Sequence, residues 1–347
     1  MTKRYGLAVD IGTTTITAGL ADIAIKKELS SLIDFNPQAR FGADIISRLD
    51  YCVKNETGLQ ELHNAVVACV NRLIEKLLKE GRIKKSDVIK MIVVGNTAME
   101  HFYLNVPAEK LSEAPYVSIL PKGVIEAKNV WLLPIIKSFV GSDLTAGILY
   151  TRLFKKSGPE LLIDIGTNGE MALAVKGNLF VTSTAAGPAF EISDKGILGS
   201  EIIDAISSML KNGIIDKTGK LKEENKKITQ NDIRRIQLAK AAIMAGMLAL
   251  IKKAGVGLKD IKHLFVAGRF GNYLNKEAAI NIGLLPGIEL SKIKFVSNAA
   301  YKGAILALYS ETAIKESEEI ANKAIHLSLF GDNFFKEQFV EKMGFPI

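Results

Sequence analysis

Two cysteines in 347 residues, Cys52 and Cys69, are too few to frame a disulfide-rich fold, and neither stands in a C-x-x-C pair. A structural zinc or an iron–sulfur cluster draws on four ligands, so neither is expected in this chain. Cys69 lies in "LHNAVVACVNRLIEKLLK", a helical pattern whose apolar face it joins. No apolar run approaches the roughly 18 residues that a membrane span needs, so no membrane role is expected. The opening "MTKRYGLAVDIG" enters a strand at once and leaves no room for a signal peptide, so a reducing cytoplasm is the expected setting. No Gly-Lys-Ser/Thr closes a Walker loop, and no G-x-G-x-x-G opens a helix. No linker is rich enough in serine or proline to act as a tether. The lone tryptophan, Trp131, is expected in a core, and His101 in "AMEHFYL" is expected to pack rather than ligate.

Charge excludes little more. The formal net charge of +8 is spread through "IKKEL", "LFKKSG", "LKEENKK" and "LIKKAG", interleaved with acids. That pattern fits a solvated lysine-rich surface or a face for an acidic protein partner. It lacks the motifs of a nucleic-acid reader, so no nucleic acid is expected.

What the chain does contain is one unit written twice. "LAVDIGTTTITAGL" at residues 7–20 and "LLIDIGTNGEMAL" at 161–173 each run an apolar strand into Asp-Ile-Gly-Thr, a tight turn and an apolar return strand. Gly12, Thr13, Thr14 and Thr15 form the first turn, and Gly166, Thr167, Asn168 and Gly169 the second. Glycine and asparagine tolerate the backbone angles such turns require. Backbone N–H groups converging on a turn make a nest for phosphate oxygens. Asp10 and Asp164 end the strands at the mouths of these nests. A carboxylate has no reason to face a phosphate unless Mg²⁺ lies between them.

The elements around the hairpins repeat too. A third strand is expected near Glu28–Phe35 and near Asn178–Thr184, each followed by helix, strand and helix. Helices are expected near 57–80, 142–155, 200–212, 229–255 and 298–309, with Ser142 or Asp143 capping the second and Thr229 or Asn231 the fourth. Residues 105–130 carry proline and glycine and suggest an irregular insertion. The order β-β-β-α-β-α is thus written twice, giving an α/β chain of two duplicated lobes, 1–155 and 156–347, the second ending in a helical tail.

This order resembles the superfamily of actin, hexokinase, acetate and sugar kinases and the heat-shock chaperone ATPase, a duplicated ribonuclease-H-like fold. The resemblance implies ATP·Mg²⁺ in a cleft between two lobes, with two helices crossing at a hinge. Ala146, Gly147, Ala299, Ala300, Gly303 and Ala304 suit that crossing. It further implies Asp10, Asp164 and Thr167 in catalysis, with Asp10 and Asp164 organising the metal. Gly12, Thr13, Thr14, Thr15, Gly166, Thr167, Asn168 and Gly187 would then take the phosphates. Gln237 and Lys240 in "QLAK", with Gly268, Gly271 and Asn272 in "VAGRFGN", would take the nucleoside. The longer stretches "NPQARFGADIISRL", "VGNTAMEHFYL", "STAAGPAFE", "ITQNDIRRIQLAKAAIMAG" and "FKEQFVEKMGFP" are similar to the ATP-dependent reductive activators of corrinoid proteins. That family implies an activator that restores Co(I) in a corrinoid methyl carrier.

Two features depart from the family. Without cysteines for a cluster, the electron is expected from a separate low-potential donor such as a ferredoxin. The stretch between "GPAFE" and "GILGSEIID" is also shorter than usual, which bears on whatever partner that segment contacts. A homodimer is compatible with the sequence. Two other readings share the fold: a nucleotide-gated binding or scaffold protein without turnover, and a small-molecule kinase with Asp143 as its base.

Overall fold

A computed structural model of the chain describes residues 4–190, 199–222, 228–268 and 274–346. In chain order the strands are β1 (Tyr5–Ile11), β2 (Thr15–Asp22), β3 (Lys27–Phe35), β4 (Val88–Gly95), β5 (Ile125–Ala127), β6 (Val130–Leu132), β7 (Glu160–Ile165), β8 (Asn168–Val175), β9 (Asn178–Ala185), β10 (His263–Gly268), β11 (Ile293–Ser297) and β12 (Ala324–His326). The helices are α1 (Ile45–Lys54), α2 (Gly58–Gly81), α3 (Thr97–Leu104), α4 (Glu109–Ser112), α5 (Ser142–Thr151), α6 (Gly199–Lys211), α7 (Gln230–Lys253), α8 (Lys276–Asn281), α9 (Ala299–Tyr309), α10 (Glu311–Lys323) and α11 (Asn333–Glu341).

They divide into two units. One holds residues up to Arg152 together with Ala299–Ala324; the other holds Leu153–Asn298 and the residues from Ile325 on. The second unit is therefore not simply the second half of the chain. A division at 155/156 assigns α9 and α10 to the second lobe, whereas they pack in the first. The reason is α9 itself: its small residues let it lie against α5, and the chain crosses back to reach that contact.

The first unit is built on a sheet of order β3-β2-β1-β4-β6-β5, the second on β11-β10-β7-β8-β9-β12. Read outward from β1 and from β7, the two sheets share one plan. Three strands meander antiparallel (β1-β2-β3; β7-β8-β9) and two more add in parallel (β4, β6; β10, β11). Parallel additions need crossover connections, and buried crossovers call for near-continuous apolar strands. "YGLAVDI" is accordingly buried at every position. The edge strand β3 instead leaves alternate residues exposed.

Each unit has its own core. In the first, Leu7, Val9, Ile11 and Leu20 pack with Leu62, Val66, Cys69 and Leu73 of α2. In the second, Leu161, Ile163, Met171 and Leu173 pack with Ile236, Ile243, Met247 and Leu250 of α7. Each fully buried aliphatic side chain contributes roughly 1.5–3 kcal/mol relative to exposure. Among the described residues no helix is long and apolar enough to cross a membrane.

Local signals explain the element ends. Thr229 caps α7 with a reciprocal pair to Asp232, so Thr229 rather than Asn231 is the cap. At α5 the cap is Gly141, with no side-chain bond, and Ser142 and Asp143 lie inside the first turn. Helix α5 ends at Thr151, short of residue 155, where Arg152 takes a left-handed backbone. The insertion 105–130 is largely irregular but adds β5 to the sheet edge, antiparallel to β6. Trp131 is half-buried under the Lys90 ammonium, not sealed in the core. His101 is fully buried, its ring nitrogens contacting the Pro107 carbonyl and the Ser118 hydroxyl. Burial pushes its pKa down, and both nitrogens are engaged, so it is a packed side chain.

Candidate functional site: two buttressed hairpins and a helix face

In the first unit Ile11 pairs with Ile16, which leaves Gly12–Thr15 as the turn. The Gly12 N–H donates to the Thr15 carbonyl at 2.9 Å. A Cβ at Gly12 would stand 2.7 Å from that same oxygen, so this turn requires glycine. In the second unit Ile165 pairs with Gly169, a turn one residue shorter, and the Gly166 N–H donates to the Asn168 carbonyl at 2.9 Å. Asp10, Thr13 and Thr167 are buried, while Thr14, Thr15, Asp164 and Asn168 are half-buried and Gly166 is exposed.

The duplication extends to single hydrogen bonds. After β3, the Asn36 N–H donates to the Thr14 carbonyl at 2.8 Å; after β9, the Gly187 N–H donates to the Thr167 carbonyl at 2.7 Å. Each hairpin is thus held from behind by the residue that leaves the third strand. Asn36 does more: its side chain, buried, donates to the Gly12 carbonyl at 2.9 Å and accepts from the Gln38 N–H. Gly187 has a φ of +74°, and among the described residues nothing lies within 4 Å of where a Cβ would point. The fourth strands repeat as well. Gly95 sits against the Ile11 carbonyl and Gly268 against the Ile165 carbonyl, one residue past each aspartate. At Gly268 a Cβ would also stand 3.0 Å from the Asp164 carboxylate.

The carboxylates around these turns are more numerous than the motif suggests. Asp164 lies directly opposite Glu170 across β7 and β8, and Glu170 is buried. Like charges directly opposite on a sheet destabilise it unless something offsets them. In the first unit, Asp143 of α5 is close enough to Asp10 to feel its charge. Burial, with that repulsion added, pushes the Asp143 carboxyl up to about 7. Beneath it, Glu100 is fully buried and held well above the ordinary carboxylate range by desolvation. Glu100 accepts from the Ser142 hydroxyl and backbone N–H, and Ser142 in turn accepts from the Gly95 N–H at 3.1 Å. This network fixes the start of α5, and with it Asp143, beside the end of β1. Asn36, Glu100 and Glu170 escape sequence reading because their roles come from burial and register, and Ser142, legible there only as a candidate cap, instead bonds Glu100 and Gly95. Among the described residues no group of three or more histidine, cysteine or acidic side chains forms a closed metal-ligand set. Mg²⁺, which keeps several waters and few carboxylates, requires none.

Gln237 and Lys240 do share one face of α7, but that face is covered. Gln237 donates to the carbonyls of Thr218 and Met343 at 3.1 and 3.0 Å. Lys240, 1% exposed, donates to the carbonyls of Lys342 and Gly344. Burial, with Lys342 nearby, lowers the Lys240 pKa to about 8. Gly271, Asn272 and the shortened stretch after Glu191 lie outside the described residues.

The family described as "RACo middle region" matches residues 5–156, and "C-terminal domain of RACo the ASKHA domain" matches 158–194 and 223–347. The corrinoid activation enzyme RamQ of Eubacterium limosum is 30% identical over 97% of this chain and 69% of its own. The chain belongs to the RACo family. A second relative, the [Co(II) methylated amine-specific corrinoid protein] reductase of Methanosarcina barkeri, is 24% identical over 98% of this chain and 77% of its own. A solved structure, "Reductive activator for corrinoid,iron-sulfur protein", superposes with a TM-score of 0.90 at 34% identity, covering 99% of this chain. The chain spans 66% of that protein's length. The fold is thus the duplicated α/β ASKHA fold expected from the two hairpins.

Proposed function

We propose that this RACo-family chain binds and hydrolyses ATP and uses the cycle to promote reduction of a Co(II) corrinoid protein to Co(I). The observation that carries the reading is the pair of Asp-ended hairpins held by equivalent hydrogen bonds from Asn36 and Gly187. Similarity to RamQ and to the corrinoid protein reductase supports the partner class, a corrinoid protein.

The residues fit ATP·Mg²⁺. Gly12, Thr13, Thr14 and Thr15, with Gly166, Thr167, Asn168 and Gly187, receive the phosphates through backbone N–H groups and hydroxyls. Among the described residues nothing crowds the side of Gly187 where a Cβ would point. Gln237, Lys240, Gly268, Gly271 and Asn272 receive the nucleoside. Asp10 and Asp164, each at the end of the strand before its turn, would hold the metal. Bound Mg²⁺ would supply charge neutralisation on the transferring phosphoryl group. Thr167, buried in the turn, orients the phosphate, and the half-buried Asp143 orients or deprotonates the attacking water.

Nucleotide binding and release can shift a bound partner only by the difference in its affinity for the two states. ATP acts on the corrinoid protein in that way. The one electron that converts Co(II) to Co(I) comes from outside these residues, from a low-potential donor such as a ferredoxin. Cys52 and Cys69 are both buried, and burial raises both thiols, Cys52 to about 11, so neither is a ready thiolate ligand.

The test is ATP hydrolysis measured with and without a Co(II) corrinoid protein. Turnover that rises when the corrinoid protein is added supports the reading. ATP bound without turnover under both conditions would favour a nucleotide-gated scaffold. Turnover only with a small hydroxyl substrate would favour a kinase.

A further inference from the structure

The segment Lys342–Pro346 follows α11 and lies over the face of α7 that carries Gln237 and Lys240. Three of its carbonyls are taken by those two side chains: Gly344 and Lys342 by Lys240, and Met343 by Gln237. The Phe345 N–H donates to the Lys217 carbonyl at 2.9 Å, and the Phe345 ring lies 5.1 Å from the Lys240 ammonium. Pro346 closes the far side against Gly283.

Helix α11 buries none of its residues, and the strap is held by its four main-chain hydrogen bonds and by Phe345, 5% exposed and part of the second unit's core. The strap covers a buried cation that no carboxylate pairs with among the described residues. The nearest charged groups are Lys342 in the strap, itself paired with Glu341 at 2.7 Å, and Arg234, whose guanidinium donates to the Gln237 side-chain oxygen at 2.7 Å. Carbonyl dipoles and a ring face compensate a buried ammonium only in part. A ligand rich in acceptors and negative charge would compensate it better. Apart from Phe345 the strap's residues are exposed or half-buried, and segments with few buried contacts open locally at low cost.

We propose that Lys342–Pro346 is an autoinhibitory strap that occupies Gln237 and Lys240 and gives way when a nucleoside phosphate binds there. The proposal rests on the ATP-binding reading above and adds a competitor to it. While the strap is closed the nucleoside side chains are engaged. Apparent ATP affinity is then the intrinsic affinity reduced by the fraction of chains with the strap open.

Hydrogen exchange on the unmodified chain tests this directly. With ATP·Mg²⁺ added, the peptide containing the Phe345 N–H should exchange faster; equal or slower exchange would overturn the strap. The Phe345→Ala variant, which removes the anchor and leaves Gln237 and Lys240 in place, should bind ATP at least about threefold tighter by calorimetry. Unchanged or weaker binding would mean that the strap is a wall of the site rather than a competitor, and the proposal fails while ATP binding stands. If the unmodified chain and the variant both bind no ATP, the nucleotide reading itself fails and the strap proposal goes with it.

Discussion

Gly303 in α9 has no side chain because Ala146 in α5 occupies its place: a Cβ there would overlap the Ala146 carbonyl oxygen. The two helices meet backbone to backbone, and Ala299 and Ala304 beside the contact are fully buried. A methyl group forced into such a contact must push the helices apart. Gly303→Ala should therefore destabilise the first unit by roughly 1–3 kcal/mol, seen as a lower melting temperature. An unchanged melting temperature would show that the helices separate freely.

Asp164 stands at the end of β7, opposite Glu170 and against Gly268. Asp164→Asn keeps the shape and removes the charge. ATP hydrolysis should fall by roughly a hundredfold, as when a single electrostatic contact to a transition state is lost, with circular dichroism unchanged. Turnover equal to the unmodified chain would remove Asp164 from the site.

The hairpins, the repeated order of elements along the chain and the small-residue helix contact were legible in the sequence because each is a local pattern. Asp-Ile-Gly-Thr followed by an apolar return strand leaves few alternatives to a tight hairpin, and two copies imply a duplicated fold. The supports of the hairpins were not legible. Nothing in "NPQAR" says that Asn36 will turn back onto Gly12, because that bond depends on where β3 ends relative to β1. The raised carboxyls of Glu100 and Asp143 likewise follow from burial, which a motif does not carry. Gln237 and Lys240 read only as a ligand-facing pair, since helical spacing cannot reveal a strap more than a hundred residues later in the chain.

Lys240 makes the second unit sensitive to alkaline pH. Its pKa falls from 10.5 to about 8 on folding because burial penalises the ammonium. Below about 8 both states hold the proton and the full cost of burying the charge is felt. Between about 8 and 10.5 the unfolded chain binds a proton that the folded chain has released, so stability gains with rising pH. Denaturant unfolding of the chain and of Lys240→Met across this window should show the lysine form gaining relative to methionine as pH rises. A constant difference would show that the buried amine does not titrate.

The 347 residues with their two buried cysteines should purify without iron under anaerobic conditions. Stoichiometric iron and sulfide, lost in the double variant Cys52→Ala and Cys69→Ala, would contradict the assignment of the electron to an outside donor.

If ATP drives the corrinoid partner from Co(II) to Co(I) through this chain, the change is visible in the cobalt spectrum. Its most direct measurement is the visible spectrum of a Co(II) corrinoid protein incubated anaerobically with the chain and a low-potential ferredoxin, before and after ATP·Mg²⁺. Co(I) absorbance should appear only when the chain, the donor and ATP are all present, and Asp164→Asn should abolish it. Co(I) formation at the same rate without ATP, or with the chain omitted, would contradict this.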